Sequence, residues 1–349
     1  MISTAHFWTD KTVFVTGATG LLGGWLVESL IKQNARVVCL IRDVTPQSII
    51  YSHGLSDNII SVYGDLNDLN SLYRILNDYD IDTVFHLGAQ AIVGHAQRSP
   101  LDTFKSNIEG TWNILEACRL SPWVKRIIVA SSDKAYGDSN QLPYQETMPL
   151  KGEHPYDVSK SCADLICRSY FVTYQLPVCV TRCGNIFGGG DFHFDRLIPG
   201  TIRSLLFNQA PLLRSDGLSI RDYIYVKDVV DAYLLIAERM QELSLSGESF
   251  NISEELPKNV LEVVRDLQQK CGDFATSPII TNSGRGEIKN QFLSCKKIHS
   301  VLDWKPSYGY DKGLDETIAW YKNYFSTDRQ KTSFVNSYKM GWRSTSCEI

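Results

Sequence analysis

The chain has 349 residues, of which 43% are hydrophobic and 21% are charged, a composition typical of a globular protein with one large or two medium domains. Its formal charge is −4 with no block of like charges, which argues against a nucleic-acid partner. No apolar run approaches the roughly 20 residues that cross a bilayer, and the first residues lack the pattern of a secretory signal. The nine cysteines are scattered without CxxC spacing, so we expect reduced thiols, no metal site and a cytoplasmic protein without a membrane partner.

The first half of the chain alternates short apolar runs with helix-length segments, the pattern of a parallel sheet covered by helices on both faces. The predicted strands are KTVFVTG, ARVVCLIRD, IISVYGD, DTVFHLG, RIIVASS and LPVCVTRC. The predicted helices include LLGGWLVESLIKQ, LNSLYRILNDY, DTFKSNIEGTWNILEACRLS and HPYDVSKSCADLICRSYFVTYQ. The sequence therefore predicts an α/β fold, a Rossmann-type doubly wound parallel sheet with right-handed crossovers.

The pattern becomes less regular after about residue 186, starting with the glycine-rich and aromatic stretch IFGGGDFHFDRLIPG. We predict a dinucleotide-binding domain over residues 1–186 and a smaller C-terminal substrate-binding lobe over residues 187–325. The segments RDYIYV and ESFNIS, within residues 221–252, are predicted to return to the first domain. Residues 326–349 are polar and without periodicity, which indicates a loose tail.

The stretch TGATGLLGG places Gly17, Gly20 and Gly23 between the first predicted strand and the first predicted helix. Glycine permits the tight turn and lets backbone N–H groups approach a pyrophosphate closely. The helix N-terminus adds unpaired donors and a partial positive charge. The spacing alone is weak evidence, but between a strand and a helix it predicts dinucleotide binding.

Acidic residues follow the second and third predicted strands. The second strand ends in Arg42 and Asp43. An acid at this position accepts hydrogen bonds from the adenosine ribose, which favours NAD, whereas Arg42 leaves NADP possible. Asp65, in GDLND after the third strand, is placed either to contact the adenine or to cap the following helix.

Tyr156 and Lys160, in YDVSK, are four residues apart in a predicted helix and so share one face. A nearby ammonium favours the phenolate, which would make Tyr156 a usable base for an alcohol, and Lys160 could also hold the nicotinamide ribose. Alone, such a pair is more often exposed than catalytic. The dinucleotide loop and the serine-rich end of RIIVASS favour catalysis.

Further motifs are HLGAQ, SSDKAYG, RCGNIFGGGD, RDYIYV and GRGEIKNQFLS. Together with the loop and YDVSK, they make residues 11–325 resemble the extended short-chain dehydrogenase/reductases that modify nucleotide sugars. The resemblance implies a nucleotide-sugar substrate. It also implies a homodimer formed through a four-helix bundle, by the segments around residues 101–120 and 156–174.

The resemblance assigns roles to individual residues. Ser132 would polarise the C4 oxygen of the sugar beside Tyr156, and Asn107 would be a structural residue near the active site. The predicted cofactor-binding residues are Gly17, Thr19, Gly20, Leu21, Leu22, Gly23, Arg42, Asp43, Asp65, Leu66, Leu87, Gly88, Ala89, Gln90, Asn107, Ser131, Tyr156 and Lys160. The predicted substrate-binding residues are Gln90, Ser132, Arg182, Asn185, Arg196 and Arg221.

Several of these assignments have structural alternatives. Ordinary strand-end packing would equally explain His86 and Gln90 in HLGAQ. Each predicted substrate-binding arginine could instead bridge the two lobes, although arginines also make charge-assisted hydrogen bonds to phosphates. The aromatic run of residues 192–194 could stack on a base or pack its own loop down.

Asp133 and Lys134, in SSDKAYG, indicate the reaction. Relatives that only invert C4 tend to carry small, uncharged residues there, whereas many that remove water across C5 and C6 carry Asp-Glu. The Asp-Lys pair resembles CDP-glucose 4,6-dehydratases and certain UDP-N-acetylglucosamine 4,6-dehydratases. We predict that Asp133 protonates the departing 6-hydroxyl and that Lys134 removes the C5 proton. The alternative is a surface turn without a role.

The sequence thus predicts a nucleotide-sugar 4,6-dehydratase that forms a 4-keto-6-deoxy sugar. CDP-glucose is the first choice because GGGD and DRLIPG resemble the CDP-glucose enzymes. RDYIYV is common in epimerase-like relatives, so UDP, GDP and dTDP sugars stay open. A nucleotide-sugar 4-epimerase is the alternative enzyme, and a non-catalytic dinucleotide-binding regulator is the third possibility.

Overall fold

The computed structural model describes residues 7–272, 277–282 and 288–326. The predicted tail after residue 326 lies outside the described residues, and so does the GRGE part of GRGEIKNQFLS, residues 284–287.

Strands and helices alternate through the first half of the chain as predicted. The strands are β1 Thr12–Thr16, β2 Arg36–Ile41, β3 Ile59–Tyr63, β4 Thr83–His86, β5 Arg126–Ala130, β6 Val178–Cys183, β7 Asn185–Phe187, β8 Leu212–Leu213, β9 Ile220–Tyr225, β10 Ser249–Ile252, β11 Pro257–Asn259, β12 Ile279–Ile280 and β13 Asn290–Gln291. The α-helices are α1 Leu21–Lys32, α2 Ile49–Ser52, α3 Leu69–Asp78, α4 Val93–Arg98, α5 Pro100–Phe104, α6 Gly110–Leu120, α7 Pro155–Tyr174, α8 Leu197–Leu206, α9 Val226–Arg239, α10 Val260–Cys271, α11 Lys296–Leu302 and α12 Gly309–Ser326. Short 3₁₀ turns span Ser56–Asn58 and Asp133–Tyr136, and a π-helical segment spans Lys105–Glu109.

The main sheet consists, within the described residues, of seven parallel strands in the order β10-β6-β5-β4-β1-β2-β3. Val13 of β1 lies between Val37 of β2 and Thr83 of β4, which places β1 in the interior of the sheet. The strand order reverses between β1 and β4, the position at which open α/β sheets bind ligands beyond the carboxyl ends of their strands. The predicted α/β, Rossmann-type fold is confirmed.

Apolar layers cover both faces of the main sheet because successive side chains of a strand point to opposite faces. Val13 belongs to the cluster that contains Leu26 of α1. Phe14 belongs to the opposite cluster, with Leu72 of α3 and Ile114 of α6. Burial of each such side chain stabilises the fold by about 1.5–3 kcal/mol. The core therefore holds the strand ends rigidly at the edge where the predicted site residues lie.

A smaller sheet forms in the C-terminal part, where β9 pairs with β7, β11 and β13. RDYIYV forms β9, which pairs in the smaller sheet and not in the main sheet, and its return to the first domain stays a prediction. Its pairing partners come from distant parts of the chain, which a strand-like local pattern cannot identify. ESFNIS forms β10, which pairs with β6 in the main sheet. The division of the chain at residue 186 stays a prediction.

Candidate active site

The loop between β1 and α1 is closed by glycines. Gly17 has a φ of +70°, and a Cβ there would lie 2.7 Å from the amide nitrogen of Gly88. A Cβ on Gly23 would lie 2.2 Å from the carbonyl oxygen of Gly17, so α1 packs directly against the turn. Gly20 precedes α1 and provides no side-chain cap, and the first turn contains no acidic residue. The N–H groups of this helix start therefore fit a dinucleotide pyrophosphate.

The remaining predicted loop residues lie at the same helix start. Thr19, Leu21 and Leu22 are all half-buried. Leu21 and Leu22 open α1 itself and pack against the core cluster of that face.

The ends of β2 and β3 present acidic groups to solvent. Arg42 Nε donates to Asp43 Oδ2 at 2.7 Å, and both side chains are exposed at the end of β2. Asp65 is exposed, but it does not cap α3. That role belongs to Asp68, whose carboxylate accepts a backbone N–H of the first turn at 3.0 Å. The capping alternative for Asp65 is wrong because the helix begins three residues later than an Asp65 cap would require.

His86 is a packing residue of the β4 end. Its ring nitrogens lie 2.9 Å from Thr16 Oγ1 and 3.1 Å from Thr111 Oγ1. Burial lowers the pKa of His86 to about 3, so the ring stays neutral. Thr16 Oγ1 also accepts the backbone N–H groups of Leu87 and Gly88, at 3.1 and 3.0 Å. These contacts support strand-end packing for His86.

Asn107 joins the β4 end to α7. It lies in the π-helical segment, a widened turn that often occurs at functional sites. Asn107 Oδ1 accepts the Gln90 N–H at 2.7 Å, while Nδ2 donates to Gln90 O at 3.0 Å and to Ser159 Oγ at 2.9 Å. Ala89 and Gln90 are half-buried, and the side chain of Leu66 lies against this same strand end. Asn107 thus fixes the loop predicted to line the cofactor.

The turn after β5 contains the predicted acid. Ser132 Oγ donates to Asp133 Oδ1 at 2.9 Å and accepts the Lys134 N–H at 3.2 Å. Asp133 is 3% exposed, and burial raises its pKa although the Lys134 charge lowers it. Among the residues the structure describes, Asp133 Oδ2 and Ser131 Oγ are buried without hydrogen-bond partners. A buried carboxyl retains its proton to higher pH than an exposed one, which suits a proton donor. A solvated surface turn is therefore excluded for Asp133.

Lys134 is held from the C-terminal part of the chain by a residue that the sequence analysis missed. Lys134 Nζ donates to Gln291 Oε1 at 3.0 Å. Gln291 lies in β13 and is fully buried. The carboxyl of Asp157, from α7, also faces Lys134 closely enough for the Lys134 charge to lower the Asp157 pKa, which burial raises. No local pattern distinguishes Gln291 from other polar residues of GRGEIKNQFLS.

Tyr156 and Lys160 lie at the start of α7, beside that turn. Burial raises the pKa of Tyr156 to about 12, while the Ser132 hydroxyl and the Arg196 charge lower it. Lys160 Nζ donates to Ala130 O at 2.7 Å, and burial lowers its pKa to about 8. The Lys160 amine binds the end of β5, and a lowering of the Tyr156 pKa by Lys160 stays a prediction. Ser132 and Arg196 act on the phenol.

Arg182 is engaged by protein groups on all of its nitrogens. Nε and Nη2 donate to Asp164 at 2.7 and 2.9 Å, and Nη1 donates to Tyr136 Oη at 2.8 Å and to Glu146 O at 3.2 Å. The predicted contact of Arg182 with the substrate is therefore replaced by a structural ion pair. Asn185, the other polar residue predicted from this stretch, is half-buried in β7.

Arg196 and Arg221 direct positive charge toward Tyr156 and toward the turn Asp133–Tyr136, the predicted catalytic turn. Arg196 Nη1 donates to Asp191 Oδ2 at 3.0 Å, yet its side chain stays 36% exposed and its charge acts on Tyr156. Arg221 is half-buried in β9, and its charge lowers the pKa of Asp133. Both arginines therefore act electrostatically on the group that contains Tyr156 and Asp133.

The aromatic residues after the GGG stretch pack on α12. The Phe192 ring lies 5.8 Å from Trp320 and 5.1 Å from Tyr324, measured between centroids. Phe194 contacts the same helix, whereas His193 is exposed. Packing of the loop is therefore the better description of the two phenylalanines.

The carboxyl edge of the main sheet thus brings together a buried carboxyl, an amine, a hydroxyl and a phenol, at the same edge as the glycine loop. These groups are Asp133, Lys134, Ser132 and Tyr156. Such a set can move protons at adjacent carbons of an alcohol substrate. Among the described residues, no group of three or more His, Cys, Asp or Glu side chains could hold a metal ion. No helix of the described part is long and apolar enough to cross a membrane.

Comparison with known proteins gives the family. The family model described as GDP-mannose 4,6 dehydratase matches residues 14–317. The CDP-glucose 4,6-dehydratase of Salmonella typhimurium is 30% identical over 331 residues, 91% of this chain and 92% of that protein. The structure of the Bacillus anthracis dTDP-glucose 4,6-dehydratase in complex with NAD has a TM-score of 0.81 and 25% identity, covering 92% of this chain and 99% of that one.

The fold is also that of an epimerase. The UDP-glucose 4-epimerase of Thermotoga maritima with UDP-glucose has a TM-score of 0.82 and 25% identity, covering 90% of this chain and 100% of that one. Fold similarity alone does not separate dehydration from epimerisation. The family model, however, matches residues 14–317, which is most of the chain. This chain belongs to the GDP-mannose 4,6 dehydratase family of extended short-chain dehydrogenase/reductases.

Proposed function

We propose that this chain is an NAD-dependent nucleotide-sugar 4,6-dehydratase, a hydro-lyase, with CDP-glucose as its substrate. The observation that carries the proposal is the pair Asp133 and Lys134: a buried carboxyl beside an amine held by a neutral amide. Elimination of water across C5 and C6 needs one proton donor and one proton acceptor beyond the groups that act at C4. Epimerisation at C4 needs no such pair.

The choice of CDP-glucose rests on relatives and on motifs. The Salmonella typhimurium relative at 30% identity is a CDP-glucose 4,6-dehydratase, and that enzyme and this chain cover more than nine-tenths of each other. The GGGD and DRLIPG stretches agree with that choice. Arg196 and Arg221 provide the positive charge that a diphosphate requires.

The fit to a dinucleotide comes from the glycine loop and the uncapped start of α1. We assign the pyrophosphate to that loop, the adenosine ribose to Asp43 and the nicotinamide ribose to Lys160. NAD, if bound here, would supply the acceptor for a hydride from C4 and the donor of that hydride to C6, so the net reaction would be redox-neutral. The family relationship to a structure in complex with NAD supports this cofactor over NADP.

The proton steps fall to the groups at the turn and at α7. Tyr156 takes the proton of the 4-hydroxyl, with Ser132 hydrogen-bonded to the same oxygen. Lys134 then takes the C5 proton, and the C5–H electron pair becomes the C5=C6 double bond as the C6–O bond breaks. Asp133 gives its proton to the departing oxygen, which leaves as water. Return of the hydride to C6 and of a proton from Lys134 to C5 then saturates the C5=C6 double bond and gives the 4-keto-6-deoxy sugar.

The test is mass spectrometry of CDP-glucose, UDP-glucose, UDP-N-acetylglucosamine, GDP-mannose and dTDP-glucose incubated with the protein in heavy water. A product of CDP-glucose that has lost one water and contains solvent deuterium at C5 supports the proposal. The same product from another nucleotide sugar supports the reaction and overturns the substrate. Unchanged mass with inverted C4 makes the chain an epimerase.

We also propose that the enzyme is a homodimer paired through α6 and α7. Leu165 and Val172 are seven residues apart on one face of α7 and are 58% and 56% exposed. Leu101 and Trp112, on α5 and α6, are 62% and 43% exposed. Large apolar side chains aligned on neighbouring helices are typical of a covered interface.

A further inference from the structure

We propose that Gln291 is a positioning residue for the C5 proton transfer, in that its side-chain carbonyl holds the amine of Lys134 in place. This inference rests on the proposed dehydration, because only that reaction uses Lys134 as a base. Gln291 itself is not assigned to touch the sugar.

The contact joins distant parts of the chain. Lys134 Nζ lies 3.0 Å from Gln291 Oε1, across 157 residues of sequence. Gln291 is fully buried in β13, where it pairs with Arg221 of β9, the residue whose charge acts on Asp133. A lysine side chain has several rotatable bonds and loses its freedom only when its end is bound. The smaller sheet therefore fixes the amine of the catalytic turn.

The orientation of the amide follows from Lys134. Lys134 Nζ donates to Gln291 Oε1, and in the ammonium state, which has donors only, the oxygen of Gln291 has to face Nζ. Gln291 Nε2 then lies buried and, within the part of the chain that the structure describes, has no hydrogen-bond partner. An unpaired buried amide is destabilising, and an apolar side chain would pack this position better. Packing alone does not explain a glutamine here.

The neutrality of the amide matters as much as its position. A carboxylate at position 291 would favour the ammonium form of Lys134, and an amine that is already protonated cannot remove the C5 proton. An amide accepts the hydrogen bond without adding charge. Lys134 already faces two acids, Asp133 on its own turn and Asp157 from α7. Arg221, from β9, adds positive charge near Asp133 and lowers the Asp133 pKa, so it offsets part of the negative charge around Lys134. A further acid would shift this balance toward the protonated amine.

The experiment compares Gln291→Leu and Gln291→Glu with the wild type, and uses Asn290→Ala as a control on the same strand. The first readout, on the substrate-free protein, is trace acetylation of Lys134 against pH, followed by peptide mass spectrometry. The second is loss of water from CDP-glucose against pH. We expect Gln291→Glu to raise the titration midpoint of Lys134 and the rising limb of kcat by about one pH unit. We expect Gln291→Leu to lower kcat about 10-fold to 100-fold, with KM within about twofold.

Asn290→Ala should match the wild type in both readouts. If Gln291→Glu leaves the Lys134 titration unchanged, or if folded Gln291→Leu keeps wild-type kcat, the role of Gln291 is refuted. Should Gln291→Leu fail to fold, the near-isosteric Gln291→Glu decides alone. A wild type that dehydrates no nucleotide sugar refutes the proposed function, and this inference with it. An active wild type with unaffected variants refutes only the inference.

Discussion

Arg182 and Asp164 form a bidentate ion pair behind the catalytic turn, with nitrogen–oxygen distances of 2.7 and 2.9 Å and both side chains about 6% exposed. The guanidinium also lies 4.9 Å from the ring centroid of Tyr136. Tyr136 in turn donates to Asn251 of β10 at 2.7 Å. The pair therefore connects α7, the turn and the edge strand of the main sheet.

We expect Arg182→Met to lower the free energy of unfolding by about 3–5 kcal/mol, because it leaves the Asp164 charge buried and unpaired. KM for the nucleotide sugar should stay near the wild-type value. Urea unfolding followed by circular dichroism measures the first effect, and steady-state kinetics the second.

The double variant Arg182→Met with Asp164→Leu is the control, and it should recover most of the lost stability because no unpaired charge remains. If Arg182→Met instead raised KM tenfold or more at unchanged stability, Arg182 would have to contact the substrate.

Substitutions of Asp133 and of Lys134 are expected to impair different proton-transfer steps. In Asp133→Asn the leaving oxygen lacks its proton donor, while Lys134 still removes the C5 proton. CDP-glucose incubated in heavy water should then acquire deuterium at C5 with a rate of water loss lower by about 10²–10⁴-fold. In Lys134→Met both deuterium uptake and water loss should disappear. Equal behaviour of the two variants would contradict the separate roles of acid and base.

The parts of the site that local pattern determines were predictable. The glycine loop follows from its place between a strand and a helix, and Tyr156 and Lys160 follow from their spacing on one helix. Asp133 was predicted from the resemblance of SSDKAYG to dehydratases, although its burial was not predicted, because burial depends on what packs over the turn.

The rest depends on contacts between distant segments. Gln291 accepts a hydrogen bond from Lys134, which is 157 residues away in sequence. Arg182 forms an ion pair with Asp164 on a neighbouring helix and does not point to a ligand site. The position of β9 in the smaller sheet depends likewise on strand partners far along the chain. Periodicity and motif spacing contain no information about such pairings.

Asp43 should set the preference for NAD. In the proposed site, a carboxylate at the end of β2 is placed to accept ribose hydroxyls and to repel a 2′-phosphate. We expect Asp43→Asn to weaken NAD binding by about tenfold. The difference between the NAD and NADP affinities should become smaller, because Arg42 is available to bind the added phosphate. Calorimetric titration with both dinucleotides measures this. An unchanged ratio of the two dissociation constants would place the ribose elsewhere.

The exposed face of α7 should control assembly. Leu165→Glu introduces charge at a position that is 58% exposed and apolar, so we expect a shift from dimer to monomer in sedimentation velocity. Leu218→Glu, equally exposed in the C-terminal part, is the matched control and should leave the dimer intact. Monomeric wild type, or a dimer that survives Leu165→Glu, would exclude this interface.

Asp222 should make stability depend on pH in the weakly acidic range. It is fully buried in β9, with Oδ2 accepting the Leu293 N–H at 3.2 Å. Burial raises its pKa to about 6, and the nearby charge of Asp133 contributes to the rise. Between the ordinary pKa of an aspartate and pH 6 the native state thus binds more protons than the unfolded state, so the free energy of unfolding must fall as the pH rises through this interval.

A rise of about two pKa units corresponds to about 3 kcal/mol of stability that is present at pH 4 and lost by pH 7. Asp222→Asn removes this titration. Chemical denaturation of both proteins from pH 4 to pH 8 gives the difference in their free energies of unfolding, in which groups common to both, such as His86, cancel. We expect that difference to change by about 3 kcal/mol across pH 4–7, with the wild type losing stability relative to Asp222→Asn as the pH rises. A difference that is constant with pH would mean that the Asp222 carboxyl is already ionised at pH 4, despite its burial.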